Sequence, residues 1–116
     1  MLLQLKNTIL EKIATGQSLA ETIDYLCREV EAQAQDVVCS VLLLDQHNRL
    51  RHLAGPSLPL EYTDAIDGIQ IGPGVGSCGT AAFIGRPVQV EDIETHPYWQ
   101  PYKGLALPLG LKACWS

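Results

Sequence analysis

The chain has 116 residues, of which 47% are apolar and 18% charged, with a net charge of -5 and a pI near 5.0. This length supports one small domain that buries about two-thirds of its unfolded surface, and the balance describes a globular protein, not a disordered one. Scattered Lys and Arg on an acidic chain give no footprint for nucleic acid or an anionic membrane. No apolar run approaches the roughly 20 residues that span a bilayer.

The opening Met1 to Lys6 segment lacks a basic n-region and a small-residue cleavage site, so a cytoplasmic address is expected. Leu2, Leu5, Ile9 and Ile13 then fall on one helical stripe that Gly16 ends. A second helix starts at Ser18, because Ser18-Leu19-Ala20-Glu21 is a capping box. Leu19, Ile23, Leu26, Val30 and Ala34 carry its buried face, and Glu21, Arg28, Glu29 and Glu31 stay in water. It should be an amphipathic cover helix. The run Val37 to Leu44 suits a strand buried on both faces. Asp45 to Asn48 is turn chemistry, and Arg49 to Ala54 alternates as the return strand of a hairpin does.

Pro59 opens a short helix over residues 60–66, and Ile69-Gln70-Ile71 is a short strand or extended entry to a glycine-rich turn. Beyond that turn, residues 87–90 read as a strand. The His96-Pro97-Tyr98-Trp99-Gln100-Pro101 segment is irregular, residues 105–109 form a short helix limited by Pro108, and residues 111–115 begin a strand.

The turn itself reads Ile71-Gly72-Pro73-Gly74-Val75-Gly76-Ser77-Cys78-Gly79-Thr80-Ala81. Its Gly74-Val75-Gly76-Ser77-Cys78-Gly79 stretch matches the dinucleotide pattern G-x-G-x-x-G. The mechanics oppose that function. A crossover helix needs about 10–12 residues or more, and Gly85-Arg86-Pro87 ends any helix begun near Ser77 after barely two turns. A P-loop is excluded because no Gly-Lys-Ser/Thr follows. The four cysteines, Cys27, Cys39, Cys78 and Cys114, lack Cys-x-x-Cys spacing and nearby histidines, so they read as free thiols without a metal.

Several motifs in order carry a resemblance: Leu42-Leu43-Leu44-Asp45, Leu53-Ala54-Gly55 before Leu58-Pro59, the glycine turn, Val90-Glu91-Asp92-Ile93, His96-Pro97-Tyr98-Trp99, and Gly110-Leu111-Lys112-Ala113-Cys114-Trp115-Ser116. Together they resemble a GAF domain, of the type that precedes histidine-kinase, diguanylate-cyclase or cyclic-di-GMP-phosphodiesterase domains in bacterial sensory proteins. The resemblance implies an α+β, GAF-like (profilin-like) fold. In it a central antiparallel sheet has helices on one face and a small-molecule pocket on the other. It further implies a single domain over residues 1–116, incomplete at its C-terminus because two strands and a helix of the family would follow. Residues 1–16 would then serve as a signalling helix, and the unpaired edges would favour a homodimer.

On the same basis the ligand-binding residues are Leu42, Gly76, Ser77, Cys78, Gly79, Thr80, Val90, Asp92, Ile93, Ala113, Cys114 and Trp115, with no catalytic residue and no metal. Gly76 and Gly79 let the backbone approach a ligand, and the N–H groups opening the helix suit an anionic or carbonyl group. The partners implied are a small effector and an output domain of a parent protein. No motif specifies a cofactor. Haem, with His96 as a lone axial ligand, and a cyclic nucleotide are the candidates, each without a specific motif. Two alternatives stand beside the sensory reading. One is a ligand-free dimerisation module, and the other resembles free methionine-(R)-sulfoxide reductase, a GAF-fold enzyme, through Cys78 and Cys114. Against the enzyme, the turn here is two residues longer, and Cys114 precedes Trp115 where the reductase carries an acid.

Overall fold

Ser18 supplies the clearest link from sequence to local structure: its Oγ accepts from Glu21 N at 3.1 Å, capping helix α2 (Leu19–Gln33). Ahead of it, helix α1 (Leu2–Ala14) ends where Gly16 turns left-handed at φ 82°. The computed structural model describes residues 2–116; Met1 and the side chain of Leu2 lie outside the described residues. The remaining elements are strands β1 (Val41–Leu44) and β2 (Leu50–Ala54), helices α3 (Leu60–Ile66) and α4 (Gly76–Ile84), strand β3 (Gln89–Val90), helix α5 (Lys103–Ala106) and strand β4 (Cys114–Trp115). Short 3₁₀ turns occupy Pro97–Trp99 and Leu107–Leu109. This is a mixed α+β chain with antiparallel strands, as expected. The strands are shared between two two-stranded sheets, β1-β2 and β3-β4.

The chain gathers into two units, Met1–Leu43 with His52–Thr63, and Leu44–Arg51 with Asp64–Ser116. In the first, α1 packs on α2, and Lys12 Nζ sits 4.4 Å from the centre of the Tyr25 ring. The buried arc of α2 differs from the expected stripe. Thr22 and Cys27 are buried, while Leu19 in the first turn remains exposed. Glu31, expected to face water, instead binds two other segments: Oε2 accepts from Cys39 N at 2.9 Å and Oε1 from Ser57 Oγ at 2.6 Å.

The expected strand over residues 37–44 is a second correction. Only Val41–Leu44 is strand, and Val37, Val38, Leu43 and Leu44 are exposed instead of buried. A two-stranded sheet gives β1 a single paired edge and leaves apolar side chains without cover.

In the second unit, the Asp45 carboxylate accepts from His47 N and Arg49 N at 2.8 and 2.9 Å, and Asn48 takes a left-handed φ of 60° to close the turn. The donated Arg49 N–H holds the Asp45 carboxyl below its ordinary range. Residues 68–71 run alongside this turn as the extended entry expected there. Leu50 N donates to Ile69 O at 2.9 Å and Ile71 N to Asn48 O at 3.0 Å, with Arg49 bridged antiparallel to Gln70. Helix α4 stops at Ile84, and Gly85 follows at φ 70°, so it has the short length the Gly-Arg-Pro sequence dictates. This brevity removes the dinucleotide crossover.

Candidate functional site

The site grows from the pleat of β4. Gln89 pairs with Trp115 and Val90 with Cys114, and the ladder continues to Val88, which exchanges both backbone bonds with Ser116 at 2.7 and 2.8 Å. Alternate residues of a strand share a face, so Cys114 and Ser116 go together with Val88 and Val90. Both valines are buried, and Trp115 on the opposite face is 75% exposed. The buried face is the one that α4 packs against.

Helix α4 contributes Cys78. Its Sγ lies 2.9 Å from Ser116 Oγ, and Cys114 Sγ lies 3.6 Å from the same oxygen. Interaction with the Cys78 thiol, with help from the hydroxyls of Ser116 and Ser77, pulls Cys114 down from the ordinary thiol value of 9.0 to about 6, against the opposing effect of burial. Cys78 moves the other way, raised first by its interaction with Cys114 and then by burial. One thiolate and one thiol therefore share the site near neutral pH.

Ser77 and Thr80 are buried on α4 and already engaged. Ser77 Oγ accepts from Trp99 Nε1 at 2.9 Å, and Thr80 Oγ1 donates to Gly76 O at 2.7 Å. Gly76 sits at φ 56°, and Gly79 presents its open face to Val75. Ile93 is buried, with its N–H donated to Lys112 O at 2.8 Å. Asp92 is exposed, its carboxylate accepting from Glu94 N and Thr95 Oγ1 at 3.1 Å each, which caps the loop. Ala113 is exposed. Leu42 belongs to the other unit. Of the residues singled out in the sequence, the structure thus gathers Ser77, Cys78, Val90 and Cys114 on the faces shared by α4 and β4. It turns Asp92 and Trp115 to solvent.

Ser116 and Trp99 are the participants that sequence reasoning missed. Ser116 was legible through its spacing, since Cys114-Trp115-Ser116 places Cys and Ser two apart on a strand. His96 has a loop role: its Nδ1 accepts from Tyr98 N at 3.1 Å and its ring meets that of Tyr98 edge-on at 4.5 Å. The other two cysteines also meet, in the first unit. Burial first of all raises Cys27 to about 12, with Cys39, Asp24 and Glu31 adding to the rise.

The family model for the GAF domain matches residues 16–116. The chain belongs to the GAF family. A curated relative, the methyl sulfide methyltransferase-associated sensor of the archaeon Methanosarcina acetivorans, is 40% identical over 112 residues, 96% of this chain. The chain spans 11% of that protein's length. No solved structure matches. Among the described residues of this GAF chain, no helix is long and apolar enough to cross a membrane.

The cysteine pair of the GAF fold gives stability a definite pH dependence. Between about pH 6 and 9 the folded chain holds Cys114 as thiolate while the unfolded chain keeps that proton, so stability rises with pH across this window. Above about pH 9 the unfolded thiols ionise while Cys78 and Cys27 keep their protons in the fold, and stability falls. Urea unfolding midpoints should therefore peak near pH 9, and Cys114→Ser should remove the rising limb. Parallel profiles for the two proteins would contradict this assignment.

Proposed function

We propose that this GAF chain is a non-enzymatic sensory module that binds a small effector and passes the change to an output domain of a longer cytoplasmic protein. The observation that carries this reading is the 40% identity, over nearly the whole chain, to a protein named as a sensor. The effector would lie along the first turn of α4, Gly76 to Thr80, with Val90, Ile93 and Cys114 beside it. The small side chains and backbone N–H groups there suit a carbonyl or anionic group. The sequence resemblance to modules upstream of histidine-kinase, diguanylate-cyclase and phosphodiesterase domains supports an output domain.

The exposed apolar side chains of α1, namely Leu3, Leu10 and Ile13, support homodimerisation through that helix. Thermal denaturation against cyclic nucleotides, amino acids, 2-oxo acids and haem tests the effector reading. A true ligand at one hundred times its dissociation constant stabilises the fold by about 2.7 kcal/mol. An unchanged midpoint across the panel, together with a dimer by size exclusion, would favour the ligand-free dimerisation module.

A further inference from the structure

We propose that Cys78 and Cys114 are a redox-active dithiol, which hydroperoxides oxidise reversibly to an intramolecular disulfide. The pair is set up by two elements that converge on one hydroxyl: Cys78 on α4 and Cys114 on β4 lie 2.9 and 3.6 Å from Ser116 Oγ. The Val88–Ser116 backbone pair, bonded in both directions, fixes that hydroxyl at the end of the ladder. Cys78 and Cys114 are part-exposed residues, unlike the buried Cys27. The contrast within the same chain is informative. Cys27 and Cys39 are also neighbours, yet Cys27 is fully buried and lies near the carboxylates of Asp24 and Glu31, which oppose a thiolate. At Cys114 the neighbours are hydroxyls and a thiol that donate to sulfur, and these favour one.

The chemistry balances without a metal or bound cofactor. The Cys114 thiolate attacks the terminal oxygen of the hydroperoxide. An S–O bond forms, the O–O bond breaks, and the departing alkoxide, or hydroxide from hydrogen peroxide, takes a proton from water. Cys78 then attacks the Cys114 sulfenic acid. The S–S bond forms, the S–O bond breaks, and hydroxide leaves with the Cys78 proton as water. Counting the proton that Cys114 releases on ionising, which neutralises the hydroxide left by the first step, the dithiol loses two electrons and two protons, and the hydroperoxide becomes an alcohol and water. A small dithiol reductant reverses the change. Oxidation ties α4 to β4, a covalent change at the site whether or not a diffusible effector also binds there.

The test treats the chain with hydrogen peroxide and maps the unreduced peptides by mass spectrometry. The expected product is a Cys78–Cys114 crosslink that dithiothreitol removes, with Cys27 unmodified. Cys78→Ser should abolish the crosslink and leave a Cys114 sulfenic acid that dimedone captures, and circular dichroism checks that this variant is folded. Recovery of both thiols unmodified after peroxide would overturn the proposal, as would crosslinking of Cys27 to Cys39 in preference to the α4–β4 pair. Either result leaves the effector reading intact, because the thermal panel is run under reducing conditions.

Discussion

Trp99→Ala is expected to lower stability by about 3–5 kcal/mol, the range for emptying a buried aromatic site. Trp99 is only 7% exposed, and its Nε1 donates to the buried Ser77 Oγ at 2.9 Å. Truncation therefore removes apolar burial, opens a cavity beside α4 and leaves the Ser77 hydroxyl without its partner. The polar part can be separated. Trp99→Phe or Ser77→Ala alone leaves one member of a buried hydrogen bond unpaired, at a cost of about 1–3 kcal/mol. The double variant should cost less than the sum, since each change removes the need for the other partner. Urea midpoints at unchanged slope measure all four proteins. Trp115→Ala is the control, because that side chain is exposed and its loss should stay within about 0.5 kcal/mol. A Trp99→Ala effect no larger than the control would remove Trp99 from the core.

Gly79→Ala is the second large effect, and its sign is opposite to the helix-propensity rule. In an open helix the change stabilises by about 1 kcal/mol. Here a Cβ at Gly79 would stand 2.7 Å from both Cβ and Cγ1 of Val75, atoms close to the backbone that cannot simply rotate away. Overpacking of this kind costs about 1–3 kcal/mol. The expected result is net destabilisation that Val75→Gly partly relieves in the double variant, read as thermal midpoints. A single variant that melts higher than the parent would show that the turn yields easily, and the steric account would then be wrong.

Local chemistry made much of this fold legible in the sequence. The Ser18 cap, the Gly16 and Gly85 stops, the Asp45 to Asn48 turn and the helix after Pro59 depend on neighbours within a few residues, and each is found. The ordered motifs also pointed to the family. What the sequence concealed was the outcome of tertiary packing. The apolar run at residues 37–44 has the composition of a buried strand, yet its burial depends on cover that no local signal reveals. The meeting of Cys27 and Cys39 was hidden for the same reason, since they stand 12 positions apart in sequence and meet only through packing, whereas Cys78 and Cys114, 36 apart, were joined by the resemblance to the reductase. At the site, Ser77 and Thr80 were expected to bind a ligand, and the structure commits their hydroxyls to Trp99 and to the Gly76 carbonyl.

Glu31 carries a consequence for how the first unit assembles. One carboxylate on α2 closes two loops of unequal length, reaching 8 residues ahead to Cys39 and 26 ahead to Ser57. Closure entropy grows only with the logarithm of loop length, so the longer loop costs about 1 kcal/mol more than the shorter. A helix that forms early can therefore gather both segments onto a single side chain. Two long-range links of this unit thus converge on one polar side chain of α2, outside the apolar core.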